Sequence, residues 1–142
     1  MGIHTATLSV QTQGNAQMVD VTDEVAQVVR ESGLDAGIVT VFCPGATGAV
    51  TTIEYESGAV SDFQRLFDEI APPDRDYAHN ARWGDGNGHS HIRSALLGPS
   101  LTVPFVDRSL LLGTWQQIIF VDFDNRPRSR RIIVQVMGES TA

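Results

Sequence analysis

The 142-residue sequence contains no lysine at all, so every one of its ten basic residues is an arginine, with a planar, forked cation in place of a point charge. Cysteine occurs once, at Cys43, which excludes an intrachain disulfide. A small thiol ending the run Ile38-Val39-Thr40-Val41-Phe42 reads as a buried core residue and not as a nucleophile. No apolar stretch approaches twenty residues, which excludes a membrane-spanning helix. The N-terminus lacks the basic segment and apolar stretch of a signal peptide, so a cytoplasmic location is expected. Walker and dinucleotide-binding spacings are absent as well, and no nucleotide cofactor is expected.

What remains is a globular chain of one domain, residues 1–142, with 42% apolar and 19% charged residues. Seventeen acidic residues against ten basic ones give a formal charge of −7, a field that repels polyanions and excludes broad nucleic-acid binding. The exception is local: Arg126, Arg128, Arg130 and Arg131 crowd into six residues. They read equally well as a phosphate or carboxylate patch and as charges that protect a strand edge. Arg131, beside the apolar run that follows, is the expected structural member.

Periodicity organises the chain. Alternation predicts a strand over 3–11, and Thr22 is placed to cap a helix whose Val25, Val28 and Val29 form one stripe before Ser32-Gly33 ends it. Two β-branched segments, 37–43 and 49–56, flank a glycine-containing turn and predict a hairpin. Val60, Phe63, Phe67 and Ile70 fall at helical spacing until Pro72-Pro73 stops them. Residues 72–90 show no period and read as a long loop, and a short helix is predicted over 91–97. Strands are predicted over 101–107, over 110–124 with a kink at Gly113, and over 131–137. The sum is an α+β fold of about seven strands and two main helices, a β-sandwich flanked by helices.

The long loop concentrates the candidate chemistry. The loop and the first residue of the helix after it hold His79, Asp85, His89 and His91, three of the four histidines together with a carboxylate, the donor set that Zn²⁺ prefers. His89-Ser90-His91 would put both rings on one side of an extended backbone, with a further ligand from His79, Asp85 or Glu54. Ordinary hydrogen-bonded loop histidines are the plainer alternative. Mg²⁺ would instead draw on Asp85, Asp122 or Glu54. Glu54, Asp122 and Asp124 sit in otherwise apolar strands, and the last two suggest a pocket rim or a subunit interface. Gly45-Ala46-Thr47-Gly48 and Gly98-Pro99-Ser100 offer amides and hydroxyls to a phosphate.

The runs SALLGPSLTVPFVD (94–107) and LLLGTWQQIIFVDFDNRPRSRR (110–131) resemble the YjbQ-like family, also called secondary thiamine-phosphate synthase enzymes. The likeness extends to the helix ending Ser32-Gly33, to Thr51-Thr52-Ile53-Glu54 and to His91-Ile92-Arg93-Ser94. It implies a YjbQ-like β-sandwich that assembles as a homotrimer, takes a small phosphorylated ligand, and couples hydroxymethylpyrimidine diphosphate weakly to thiazole phosphate. A trimeric protein that binds a metal or phosphate ligand without catalysis is the alternative. Position by position, the resemblance implies catalytic roles for His91, Glu54 and Asp122, and a ligand-facing element at Gly113 to Gln116. Arg93, Ser94, Ser100, Thr114, Gln116 and Arg130 are the expected phosphate contacts, and His79, Asp85, His89 and His91 the expected ligands of a zinc or magnesium ion. Where many members read Pro-His-Thr-Thr-Ala, this chain reads Pro44-Gly45-Ala46-Thr47-Gly48, without the histidine.

Overall fold

In the computed structural model, which describes residues 1–141, eight strands and four helices follow in the order β1 (Gly2–Thr12), β2 (Gln17–Asp20), α1 (Thr22–Glu31), β3 (Ala36–Phe42), β4 (Gly48–Ile53), α2 (Ser57–Ile70), α3 (Ala78–Trp83), α4 (Gly88–Leu97), β5 (Ser100–Val106), β6 (Ser109–Leu110), β7 (Gln117–Asp122) and β8 (Arg128–Glu139). Every strand pairing is antiparallel. One sheet has the order β1-β8-β3-β5-β6 and the other β2-β7-β4.

The layering follows from β7. Its run Ile118-Ile119-Phe120-Val121 has no polar alternation because both of its faces are buried. Ile118 and Phe120 pack, with Val50 of β4, against Val39, Val41, Ile132, Val134 and Val136 of the larger sheet and the valine stripe of α1. Ile119 and Val121 face the other way, onto Phe67 of α2 with Phe63, Val60 and Leu97 at the margin. The three-stranded sheet is therefore the middle layer between a larger sheet and a helical cover.

The larger sheet turns its other face to solvent in cross-strand rows. One is Ile3-Met137-Ile38-Pro104, the next Thr5-Gln135-Thr40-Thr102, the third Thr7-Ile133-Phe42-Ser100. Those three rows hold no charge, and Arg131 stands at their end beside Ser9. Gly37 and Gly138 pair within this sheet at a contact so close that a Cβ on either would fall within 2.2 Å of the facing backbone.

Local sequence explains the helix ends. The Glu56 carboxylate accepts the amides of Gly58 and Ala59 at the start of α2, α3 stops at Gly84 with φ +67, and α4 stops at Gly98 before Pro99. Thr22, expected as a cap, is not one. Its hydroxyl donates to Asp20 Oδ1 at 2.6 Å and accepts the Ile118 amide at 2.9 Å, which ties α1 to β7 instead.

Several expectations are corrected. Segments β3 and β4 form no hairpin, because the five residues between them carry the chain from one sheet to the other, with the Cys43 amide donating to Pro99 O. Residues 110–124 are not one kinked strand: Leu111 to Gln116 form a turn between β6 and β7, closed by Gly113 N donating to the Gln116 side chain. The four-residue β2 carried too short a pattern to be read, and the aperiodic stretch 72–90 holds α3 and the first turn of α4.

Asp122 and Asp124 are on neither a rim nor an exposed interface; they are 0% and 1% exposed. Asp122 accepts Arg130 Nε at 2.7 Å and Nη2 at 2.9 Å, and also the Thr12 hydroxyl. Asp124 takes Arg128 Nη2 at 3.1 Å, Thr47 Oγ1 at 2.9 Å and Asn87 Nδ2 at 3.3 Å. The structural arginine is thus Arg130, in phase with the inward-facing Ile132, Val134 and Val136, while Arg131 is exposed. The turn from β1 to β2 closes over the same acids: Asn15 and Ala16 donate their amides to Asp124 O and Asp122 O, both at 2.8 Å. Gly14, at φ +83, lets that turn approach so closely that a Cβ would meet Asp124 O at 2.4 Å.

Breaking one partner of a buried pair leaves an uncompensated charge, so Asp122→Ala is expected to lower unfolding free energy by about 3–5 kcal/mol in denaturant titration. Burial pushes the Asp124 carboxyl up, but the hydrogen bonds from Thr47, Arg128 and Asn87 outweigh it and hold the group below its ordinary 3.8. A lowered acid contributes stability above its unfolded value and loses it as pH falls through the folded one. The stability gap between wild type and Asp124→Asn is therefore expected to be constant above pH 5, by this argument roughly a full unit above the unfolded value, and to shrink below 3.8.

Candidate functional site

The helical pair α3–α4 and the loop between them gather three of the expected ligands. The side-chain donors of His79, Asp85 and His91 all lie within 4.8 Å of one another. His79 Nε2 is 3.1 Å from the Asp85 carboxylate, and the His79 and His91 rings stand 4.3 Å apart between centroids. A tetrahedral zinc with bonds of about 2.0–2.1 Å spaces its ligand atoms roughly 3.4 Å apart, so a small inward movement would complete this set. Both histidines are half-buried and Asp85 is exposed, which leaves a side open to a further ligand.

Each member is held by local structure. His79 lies in the first turn of α3, Asp85 in the loop past the Gly84 stop, and His91 in the first turn of α4. Asp85 Oδ1 accepts the Asn87 amide, and its backbone carbonyl accepts Asn125 Nδ2 at 3.0 Å. Asn87 in turn receives the Ser90 hydroxyl and the Asn125 amide on Oδ1 and gives Nδ2 to Asp124. The loop is anchored to the buried ion pairs through Asn87. The hydrogen bond from His79, the largest influence, together with the Asn87 amide, holds the Asp85 carboxyl below its ordinary 3.8, so it is ionised at neutral pH.

His89 does not join this set. The expectation that His89 and His91 share one side assumed an extended backbone, whereas two residues along a helix are separated by about 200°. His89 is 3% exposed, its ring 6.4 Å from that of Tyr77 between centroids; burial keeps its imidazole below the usual 6.5, and Nδ1 has no partner among the described residues.

The remaining candidates disperse. Arg93, 3% exposed, donates Nε to Ala71 O and Nη2 to Asp68, so its guanidinium closes the C-terminal end of α2 and faces no ligand space. Ser94 is buried with its hydroxyl given to Gly48 O at 2.6 Å, and with Gly45, Ala46, His91, Ala95 and Pro99 it lines a pocket of about 360 Å³. Ser100 is exposed on the outer face of the larger sheet. Gln116 donates to Thr52 Oγ1 at 3.3 Å and lines a second pocket of about 260 Å³ with Thr51, Thr102 and Leu111; Thr114 stands exposed beside it. Glu54 lies one residue beyond β4, exposed and outside the histidine cluster. Asp122 is buried and engaged with Arg130 and Thr12, outside the histidine cluster.

Sequence reasoning missed Asn87 and Thr47 as supports. The signal available for Thr47 was its place between two glycines in a segment already read as a turn; Asn87, in an aperiodic stretch, carried none.

A model of the family described as UPF0047 protein YjbQ-like matches residues 6–139. A UPF0047 protein of Methanothermobacter thermautotrophicus is 40% identical over 139 residues, 98% of this chain and 95% of that protein. The UPF0047 protein YugU of Bacillus subtilis is 34% identical, over 93% of this chain and 98% of its own. Among solved structures, a YbjQ-like protein of Sulfolobus solfataricus superposes with a TM-score of 0.87 at 31% identity, covering 97% of this chain and 100% of that one. A hypothetical protein of Aeropyrum pernix does so with a TM-score of 0.89 at 33% identity, over 96% and 99%.

Removing one ligand from such a set typically costs 10-fold or more in metal affinity, and supports of ligands cost about 10–100-fold. Zinc titration of the metal-stripped protein is expected to show one equivalent per chain, with His79→Ala and His91→Ala each weakening it by about tenfold or more and His89→Asn leaving it unchanged.

Proposed function

The chain belongs to the UPF0047 YjbQ-like family, and from that premise we propose that His79, Asp85 and His91 form a divalent-metal centre acting on a small phosphorylated ligand. The observation that carries this reading is the convergence of two imidazoles and an ionised carboxylate within 4.8 Å, beside a pocket that includes His91. Two nitrogens and one oxygen suit a zinc-like ion better than magnesium, which favours all-oxygen sites. Such an ion, when bound, supplies positive charge to a phosphoryl oxygen.

The protein's own groups do the positioning. Without an ion Asp85 accepts the His79 ring proton, which that nitrogen would give up if it held the ion, and α4 presents His91 to the pocket. The family resemblance suggests the finer chemistry: displacement of diphosphate from a hydroxymethylpyrimidine diphosphate by a thiazole phosphate, as a slow side activity of the thiamine-phosphate synthase type. The requirement of that step is stabilisation of a departing diphosphate, which a divalent ion at the cluster would supply. Glu54 and Asp122, both outside the cluster, leave no carboxylate placed as general base, and this favours binding without turnover as the second reading.

The same resemblance leads us to propose a homotrimer. The support is the three uncharged rows on the outer face of the larger sheet, with Ile3 65%, Ile38 41%, Phe42 40% and Met137 39% exposed, a surface whose burial between copies would be favourable.

Single-turnover assays with the two phosphorylated substrates and zinc decide between the readings. Catalysis predicts product formation that falls in parallel with zinc occupancy in His91→Ala, while substrate binding without product supports the binder. Product formation that survives both chelation and His91→Ala would overturn the metal reading. Sedimentation equilibrium is expected to give three times the chain mass, and Ile38→Glu to give one; a monomer at every concentration would contradict the trimer.

A further inference from the structure

The pocket of about 360 Å³ between the turn at Gly45-Ala46 and α4 has no carboxylate in its lining. Arg130, whose side chain is 12% exposed, does not itself line the pocket but stands behind Gly45, which does. Two of its three nitrogens are committed: Nε and Nη2 grip Asp122, and Nη2 also donates to Thr47 Oγ1 at 2.7 Å. Nη1 has no hydrogen-bond acceptor among the described residues, and it lies 3.6 Å from where a Cβ on Gly45 would be. The amides of Gly45 and Ala46 likewise donate to nothing among the described residues.

Gly45 matters here for what it lacks. Its φ of +131 is a conformation that side-chain-bearing residues rarely adopt, and any Cβ would project toward Nη1 and narrow the approach to it. The Asp122 grip fixes the guanidinium plane, so Nη1 is a donor whose direction is set before any ligand arrives.

We propose that this pocket is an oxyanion subsite that takes the phosphoryl group of a small ligand, with Arg130 Nη1 and the Gly45-Ala46 amides as donors and His91 as the wall shared with the metal cluster. The proposal rests on the preceding reading only in placing the ligand's other end at that cluster; the subsite forms without metal. Two carboxylates and two guanidiniums in the buried cluster cancel, so affinity comes from directed donors and not from net charge. Phosphate alone is therefore expected to bind weakly, with a dissociation constant on the order of 1 mM.

The test is a titration of the chelator-treated, isotope-labelled protein with inorganic phosphate, followed by amide and guanidinium NMR shifts. Saturable shifts at Gly45, Ala46 and Arg130 are expected. Ala46→Glu, which puts a carboxylate at an exposed site on the pocket wall, is expected to weaken phosphate by about tenfold or more through like-charge repulsion. The double variant Arg130→Met/Asp122→Asn removes the donor without stranding a buried charge and should lose the response likewise. A phosphomonoester that shifts the same amides at lower concentration identifies an esterified phosphate as the ligand. No saturable shift in this turn, or shifts unaltered in both variants, would overturn the subsite. Loss of zinc binding in His79→Ala with the phosphate shifts intact keeps the two sites separable; phosphate shifts in an unmutated protein that takes up no zinc would sink the metal reading and leave the subsite standing.

Discussion

The structure hangs on the Asp122–Arg130 ion pair. It closes the space between the two sheets where the apolar core runs out, joining the end of β7 to the inward face of β8. Through Asp124 and its neighbours it reaches the turn from β1 to β2, Thr47 in the sheet-crossing turn, and Asn87 in the loop between α3 and α4. Each of these segments would otherwise present backbone groups to a core edge with nothing to satisfy them. A buried pair of this kind contributes little net stability relative to apolar residues of the same volume, but its directionality selects one arrangement of four segments. Selecting that arrangement is what the functional region requires.

The candidate site is built outward from that pair. Asp124 holds Asn87, Asn87 donates its amide to Asp85, and Asp85 accepts from His79. On the other side Arg130 holds Thr47, and the turn bearing Thr47 walls the pocket that reaches His91. The proposed ligands come from helix starts and a loop, while their rigidity comes from a strand end. A change at Asp122 or Asp124 should therefore read out at the histidines although neither acid can touch a ligand there.

Much of this was legible where one periodicity dominated. The valine stripe of α1, the alternation of β1 and the apolar spacing of α2 each gave an element with bounds within a few residues of those found. The strand and helix count gave a β-sandwich flanked by helices, and the family resemblance implied the same architecture. Illegible were the features set by partners far along the chain: whether β3 and β4 pair, and whether Asp122 faces in or out. Yet a signal existed for the second. An unbroken apolar run implies two buried faces, so Asp122, in phase with Ile118 and Phe120, had to be buried and had to find a cation. The phase of Ile132, Val134 and Val136 pointed to Arg130 and not Arg131 as that cation. His89 and His91 were misjudged for a different reason: the residues 84–88 carry glycines and asparagine that mask a helix start, and a helix sends the two rings apart.

The most direct test of the central claim is anomalous diffraction from crystals of the metal-stripped protein soaked in zinc, recorded across the zinc absorption edge. One dominant peak per chain is expected within bonding distance of His79, Asp85 and His91, with His89 unshifted beside Tyr77. A dominant peak at any other group of side chains, or none at this cluster, would contradict it.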